Sequence, residues 1–322
     1  MLKKTLLFAS LSLGLLGAAQ AQNLVLYTSQ PVSDAQMTVE AFEKANPGVK
    51  VEWVRDGTTK LMTKFRAELA AGVVKPDLLL IADSVTLEQL KKEGLLASYD
   101  SAEKGQYDAS LFDAEGFYYG TKLITTGLAY NTSAPNKPSS WKDLLKPEYK
   151  DLAAMPSPLY SGAALIHLSA LTTNPEFGWK YYEDLKANGM APQKGNGSVL
   201  TAITSGAKPY GVLVDYMAIR EKAKGAPIDF VFPEEGVSMV TEPVAILKDA
   251  KNQELARKFV DFVLSEEGQK LVLAQGYLPA RNGIDSPEGF PARDKIKLLP
   301  FDAAKSLENA ETDKEQFAKL FE

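Results

Sequence analysis

The alternation of short apolar runs with amphipathic stretches from residue 23 to residue 94 restricts this chain more than any other feature. Residues 23–28 read as a buried strand. Ser29 and Gln30 lead into a helix that passes Phe42 and stops at Pro47-Gly48. Residues 49–54 alternate as a second strand. The turn Asp56-Gly57-Thr58-Thr59 opens an amphipathic helix carrying Leu61, Met62, Phe65 and Leu69. Residues 77–82 read as a third strand, whose apolar run from Leu78 to Ala82 is the pattern of a sheet covered on both faces. A helix over residues 85–92 ends at Gly94. Strand, helix, strand, helix, strand, helix is the order of an α/β lobe built on a parallel sheet.

At 322 residues the chain is about twice the usual domain size, so two lobes are expected. Turns fill residues 99–120, and residues 123–130 resume extended character. A second α/β pattern follows, with helices expected at 161–171, 177–188 and 199–205 and a strand at 210–214. Residues 241–247 form another strand. It precedes an amphipathic helix bearing Leu255, Phe259, Phe262 and Val263. Ser265 caps the next helix, with Glu266 and Glu267 in its positive first turn.

Composition closes several routes. There is no cysteine, so no disulfide or thiolate metal site can form. The net charge is −5 and the basic residues are dispersed, which argues against a nucleic-acid partner. The one histidine, His167, sits in a helical stretch and cannot build a two-His zinc site or a Cys-His pair. It reads as a helix residue packed beside core side chains. Residues 1–21 have a basic start at Lys3 and Lys4, an apolar core over residues 6–16, and Ala19-Gln20-Ala21. That is a secretory signal peptide, expected to be cleaved near Ala21. With no cysteine to acylate, the exported protein is expected free in the periplasm.

Several strings then join the element order. They are Tyr27-Thr28-Ser29-Gln30, Lys75-Pro76-Asp77-Leu78, Ser140-Trp141-Lys142-Asp143, Ser161-Gly162-Ala163, Thr241-Glu242-Pro243-Val244 and Gly276-Tyr277-Leu278-Pro279. Together they resemble the extracellular solute-binding proteins of ABC importers, in the branch of ferric-ion, thiamine, phosphosugar and 2-aminoethylphosphonate receptors. The resemblance spans nearly the whole chain after residue 21. It implies two α/β lobes, each a mostly parallel sheet flanked by helices, with the ligand in the cleft between them. It places lobe 1 at residues 22–123 plus 245–290, and lobe 2 at 124–244 plus 291–322, with crossings near 124–129 and 241–245. It implies hinge closure on the ligand, delivery to a permease and its ATPase in the inner membrane, a monomer, no cofactor and no catalysis.

The resemblance also bears on the ligand. The histidine and glutamate that help hold iron in ferric receptors fall on Pro31 and Ala82. The tyrosine pair falls on Asp215-Tyr216, leaving a single phenol with a carboxylate as the alternative metal set. The segment Ser161, Gly162 and Ala163 resembles the family's grip on phosphate or on the anion that accompanies iron. Helix N-termini favour oxyanions through free N–H groups and the helix dipole. Ser29, Thr58, Thr59 and Ser198 stand at further expected helix starts, although Ser, Thr and Asn are also ordinary caps. Asp215 and Tyr216 follow a strand, where open α/β sheets bind ligands; Asp215 accepts from ligand donors or caps the next helix. Asp83, at the end of the third strand, carries the same two readings. The leading reading is a phosphonate or organophosphate receptor. A ferric receptor and a thiamine-type receptor with Tyr160 and Tyr216 as stacking surfaces are the alternatives. A secreted hydrolase is the rival class, and it would need a nucleophile–base pair or metal cluster that the sequence does not display.

Overall fold

A computed structural model describes residues 22–322; the signal-peptide expectation falls on residues 1–21, outside the described residues. The chain opens with β1 (Gln22–Thr28), α1 (Val32–Ala45), β2 (Val49–Arg55), α2 (Thr58–Ala70), β3 (Leu78–Leu80), α3 (Ser84–Lys92), β4 (Leu96–Ala97) and β5 (Tyr119–Gly120). It continues through β6 (Lys122–Asn131), β7 (Ala153–Pro156), α4 (Gly162–Thr172), α5 (Gly178–Ala187), β8 (Ala191–Gln193), α6 (Asn196–Thr204), β9 (Tyr210–Val214) and α7 (Asp215–Ala223). It ends with β10 (Ile228–Val231), β11 (Ser238–Val240), β12 (Pro243–Leu247), α8 (Gln253–Leu264), α9 (Glu266–Ala274), β13 (Leu278–Pro279) and α10 (Ala303–Phe321).

Two sheets result. The first has the order β2-β1-β3-β12-β4, with β5 also on β12; the second has β10-β6-β9-β7-β8, with β11 and β13 also on β6. The sheets are mixed rather than mostly parallel. β1 runs parallel to β2 and β3, and β7 parallel to β8 and β9. The strands that cross between lobes enter antiparallel: β12 against β3, β4 and β5, and β6 against β9, β10, β11 and β13. A strand that arrives from the other lobe comes from the opposite end of the sheet, so it is free of the βαβ crossover rule that keeps neighbours parallel.

The continuous apolar run at the end of β3 is explained by burial on both faces. Leu78 and Leu80 pack with Leu24, Leu26, Phe42 and Phe259 on one side. Leu79 and Ile81 pack with Tyr27, Leu61 and Phe65 on the other. The period of two along a strand assigns successive residues to opposite cores. Phe42 anchors the first core edge-on against Phe259 and Phe262, at 4.9 and 5.6 Å between ring centres. In the second sheet the same alternation puts Tyr210 and Val212 on one side and Leu213 on the other.

The chain first crosses between lobes on entering β6, at Lys122, and returns through Thr241 and Glu242 between β11 and β12. After β13 the chain runs on to Leu298, which bridges to Val237 in the second sheet's lobe. Where the lobes meet, Val85, Ile124, Ala163, Ile166, Val214, Tyr216, Val240, Val272 and Tyr277 form one shared apolar cluster. α4 is buried on every side, as an apolar helix without a polar face must be. Among the described residues, no helix is long and apolar enough to cross a membrane.

Candidate functional site: a cleft floored by helix N-termini

A cavity of about 330 Å³ opens between the two sheets. Ser29, Arg55, Asp56, Gly57, Thr58 and Lys60 wall it from one side, and Tyr160, Ser161, Gly162, Ala163, Lys194, Asn196, Ser198 and Tyr216 from the other. Three helices begin at this wall: α2 at Thr58, α4 at Gly162 and α6 at Asn196. In each, the first helical amides lack protein acceptors among the described residues; the first to be paired are Leu61, Ala164 and Ser198. The free amides of Thr58 and Thr59, Gly162 and Ala163, and Asn196 and Gly197 are therefore available as donors beside the cavity, where helix dipoles favour negative charge.

Ser161 is the N-cap of α4. Its Oγ accepts from the Ala164 amide at 3.3 Å and from Asn196 Nδ2 at 3.4 Å. Asn196 also accepts from the Val214 amide at 3.3 Å, so it ties α4, α6 and β9 together at the cleft wall. The sequence marks Asn196 only as the first residue of a helix start and gives it no role in the site. An asparagine at a helix start is ordinary, and only the packing of α6 against α4 gives it this role.

The charged groups on the wall are unevenly neutralised. Lys60 pairs with Asp56 at 2.6 Å. Among the described residues Arg55 is held only by carbonyl oxygens, its Nε donating to Gln30 O at 2.7 Å. Lys194 has no partner among the described residues. Glu242 is buried and ion-paired to Lys122, 2.7 Å away and itself only 1% exposed. The wall thus carries an excess of positive charge from Arg55 and Lys194, neither of which residue-by-residue reading singled out. Both lie outside the quoted strings and look like ordinary solvated basic residues in sequence.

Seven of the ten expected site residues line the cavity: Ser29, Thr58, Ser161, Gly162, Ala163, Ser198 and Tyr216. Ser29 does so without starting a helix. α1 begins three residues later, after Pro31, and Ser29 Oγ instead accepts from the Ala82 amide at 2.8 Å. α6 likewise starts at Asn196, ahead of the expected residue 199, because Gly195 supplies the extended cap. Thr59 is turned to the opposite lobe, its hydroxyl donating to Pro158 O at 3.4 Å. Asp83 is buried and caps α3, accepting from the Val85 and Thr86 amides at 2.9 and 3.2 Å.

Asp215 does not face the cleft. It is fully buried, with Oδ2 accepting from the Thr125 amide and hydroxyl at 2.9 and 2.6 Å and Oδ1 accepting from the Tyr216 amide. Burial pushes its carboxyl up to about 6, against those hydrogen bonds. Burial also raises the Tyr216 phenol, the neighbouring Glu242 charge adding to it. With Asp215 turned inward, the pair does not offer two oxygens to one ion, and no cluster of three His, Asp or Glu side chains occurs among the described residues.

The Tyr216 ring leads away from the cleft into a buried stack. The Arg220 guanidinium lies over the rings of Tyr216 and Tyr277 at 4.6 and 4.4 Å. Arg220 then donates to Asp34 of α1 at 3.0 Å, and the Tyr277 hydroxyl donates to the same carboxylate. Since α7 follows a strand of one sheet and α1 a strand of the other, this cluster ties the lobes together behind the ligand cavity.

A cavity between two α/β lobes, walled by helix starts from both, defines a two-lobe binding protein. The sequence matches the model of the bacterial extracellular solute-binding protein family over residues 73–307, and the chain belongs to that family. It is 26% identical over 302 residues to the Fe(3+)-binding periplasmic protein of Serratia marcescens, covering 90% of this chain and 86% of that one. It is also 26% identical over 318 residues to the spermidine/putrescine-binding periplasmic protein 1 of Haemophilus influenzae, covering 81% and 86%. Among solved structures, the fold matches the periplasmic binding protein AfuA of Actinobacillus pleuropneumoniae with fructose-6-phosphate bound. There the TM-score is 0.85 at 22% identity, over 93% of this chain and 98% of that one. Iron-bound HitA of Pseudomonas aeruginosa matches at 0.80 and 24%, over 92% and 99%.

Proposed function

We propose that this solute-binding protein serves an ABC importer in the periplasm, where it captures a small organic anion, a phosphonate or phosphate ester, by closing its lobes and hands it to the permease. One observation carries the reading: the free N-termini of α2, α4 and α6 meet at one cavity that also has Arg55 and Lys194 on its wall. A phosphoryl group offers several acceptor oxygens and up to two charges, which suits convergent amides better than it suits a bare cation. Polyamine binding fits less well, because Asp56 and Glu242, the carboxylates of the wall, are already paired with Lys60 and Lys122. Ferric binding is opposed by the inward turn of Asp215, whose Oδ2 is taken up by Thr125, leaving one phenol of the expected pair at the cavity.

The reading is tested by native mass spectrometry on protein purified without refolding, backed by phosphorus analysis. A stoichiometric phosphorus-containing anion is expected. A coloured ferric complex whose visible band disappears in Tyr216→Phe would overturn it.

A further inference from the structure

Glu242 is unusual in three independent ways. It has a φ of 39°, one of two non-glycine residues in the left-handed region among the described residues. It stands directly before Pro243, a position that already restricts the backbone. It is 2% exposed, yet it lines the cavity. Its main chain is locked in place: the Thr121 hydroxyl donates to its carbonyl at 2.8 Å, and the Thr121 and Lys122 amides donate to the carbonyl of Thr241. A left-handed, pre-proline glutamate persists only where its surroundings over-determine it, and such strain gathers at ligand-holding sites.

The carboxylate is used on one oxygen only. Oε2 lies 2.7 Å from Lys122 Nζ and 3.5 Å from Gln30 Nε2. Oε1 has no protein partner among the described residues. Lys122 in turn sits over the Tyr277 ring at 4.2 Å, and its ammonium, off the hydrogen-bond axis of Glu242, has no well-formed hydrogen bond. The pair is nearly neutral as a unit and presents a strong acceptor without net negative charge. An incoming ammonium group would meet the Lys122 charge behind that acceptor and the charges of Arg55 and Lys194 on the same wall. A hydroxyl group carries no such penalty.

Resting on the anion reading above, we infer that Glu242 is a specificity-determining group that accepts from a hydroxyl of the ligand, so that the substrate class is a hydroxylated organophosphate rather than an aminophosphonate. Lys122 is its positioning residue, holding Oε2 so that Oε1 faces the cavity. The division of labour is then clear. Helix amides take the phosphoryl end, which all such ligands share, and Glu242 reads the carbon skeleton that distinguishes them.

The test is calorimetry with inorganic phosphate, glucose 6-phosphate, hexyl phosphate, 2-hydroxyethylphosphonate and 2-aminoethylphosphonate. The wild type is expected to bind glucose 6-phosphate more tightly than hexyl phosphate, and the hydroxyethyl compound more tightly than the aminoethyl one. Because a hydrogen bond to a charged acceptor is at stake, each ratio should be roughly ten- to a hundredfold. Glu242→Gly with Lys122→Met removes the acceptor and its counter-charge together and relieves the backbone. That variant should bring both ratios near one, with a thermal melt to show that it folds. Glu242→Gln alone should reduce the ratios part-way and serves if the double variant does not fold. Ratios near one in the wild type, a preference for the aminoethyl compound, or ratios that survive both substitutions would overturn the inference while leaving the anion reading standing. If no phosphorus compound binds the wild type, the anion reading falls first and the inference with it.

Discussion

Gly162 shows how one residue serves two purposes that sequence cannot separate. Its string suggests a glycine that lets a ligand approach the backbone. In the structure a Cβ built there would lie 2.8 Å from Ala82 O, 2.9 Å from Asp83 Cβ and 3.0 Å from Thr58 Oγ1, all in the opposite lobe. The missing side chain is needed for the lobes to meet. Gly162→Val should therefore weaken binding by holding the cleft open. The scattering radius of the unliganded variant should exceed that of the wild type, and an unchanged radius would return the residue to a purely ligand-facing role. If the proposed anion reading holds, Ser161→Ala removes a donor to the ligand, and affinity for a bound anion should drop roughly ten- to a hundredfold by calorimetry. Loss of its cap to Ala164 should cost only about 1 kcal/mol of stability in a urea titration.

His167, the lone histidine, is buried against Trp141 at 4.6 Å and lies 3.0 Å from Ser238 Oγ. Burial lowers its pKa to about 3, below the 6.5 of an unfolded chain. The native state thus binds the neutral ring, so its contribution is intact above the unfolded value and is lost as pH falls. The loss approaches about 1.4 kcal/mol per pH unit well below 6.5. His167→Gln should flatten the fall in melting temperature between about pH 7 and about pH 4.5. An equally steep fall in the variant would assign acid sensitivity to other groups.

At the scale of elements, α10 is the piece whose role depends most on distant partners. It packs on α3 of one lobe and on α4 and α5 of the other. Phe317 is its anchor, 1% exposed, with Phe321 stacked at 4.7 Å and Tyr182 edge-on at 6.4 Å. Phe317→Ala should destabilise the protein by about 3–5 kcal/mol in urea unfolding. Phe301→Ala, just before the same helix and 39% exposed, should change it by less than about 0.5 kcal/mol. Equal effects would mean that α10 is not seated as described. The helices with strong patterns were legible because their apolar faces follow the 3.6 period. α8 is the clearest, with Leu255, Phe259, Phe262 and Val263 all buried. For α6 the string Asn196-Gly197-Ser198 was legible as a helix start, but the helix was expected from residue 199; the structure begins it at Asn196, with Gly195 as the extended cap.

For the whole molecule the pertinent quantity is the balance between open and closed lobes. The lobes touch across the cleft, with Gly57 so near the opposite lobe that a Cβ there would lie 2.5 Å from Tyr160 O. The Asp34–Arg220 pair and the Tyr216–Tyr277 stack join the lobes behind the cavity. On the proposed function, a ligand that touches both walls would stabilise this state over any open one, and closure around it would be a hinge motion about the crossing segments. Gly57→Val leaves the wall's amides and charges in place but blocks the approach of Tyr160. Small-angle scattering on the as-purified variant should give a larger radius than the wild type. A radius equal to the wild type's would show that the seam yields without opening the cleft.

The sequence by itself determined the two-lobe α/β architecture, the strand–helix order and the capped segment Ser161-Gly162-Ala163, because periodicity and capping are local and act within a turn or a strand. It did not determine the mixed direction of the sheets, which follows from strands arriving across the hinge. Nor did it separate cleft residues from residues behind the wall. Asp83, Asp215 and Thr59 have the right chemistry, but hydrogen bonds to Val85, Thr125 and Pro158 turn them away. Arg55, Lys194, Asn196 and Glu242 join the cavity only because separate stretches of chain fold to one place. Which polar atoms are left unpartnered is a property of that convergence, so only the tertiary structure could decide it.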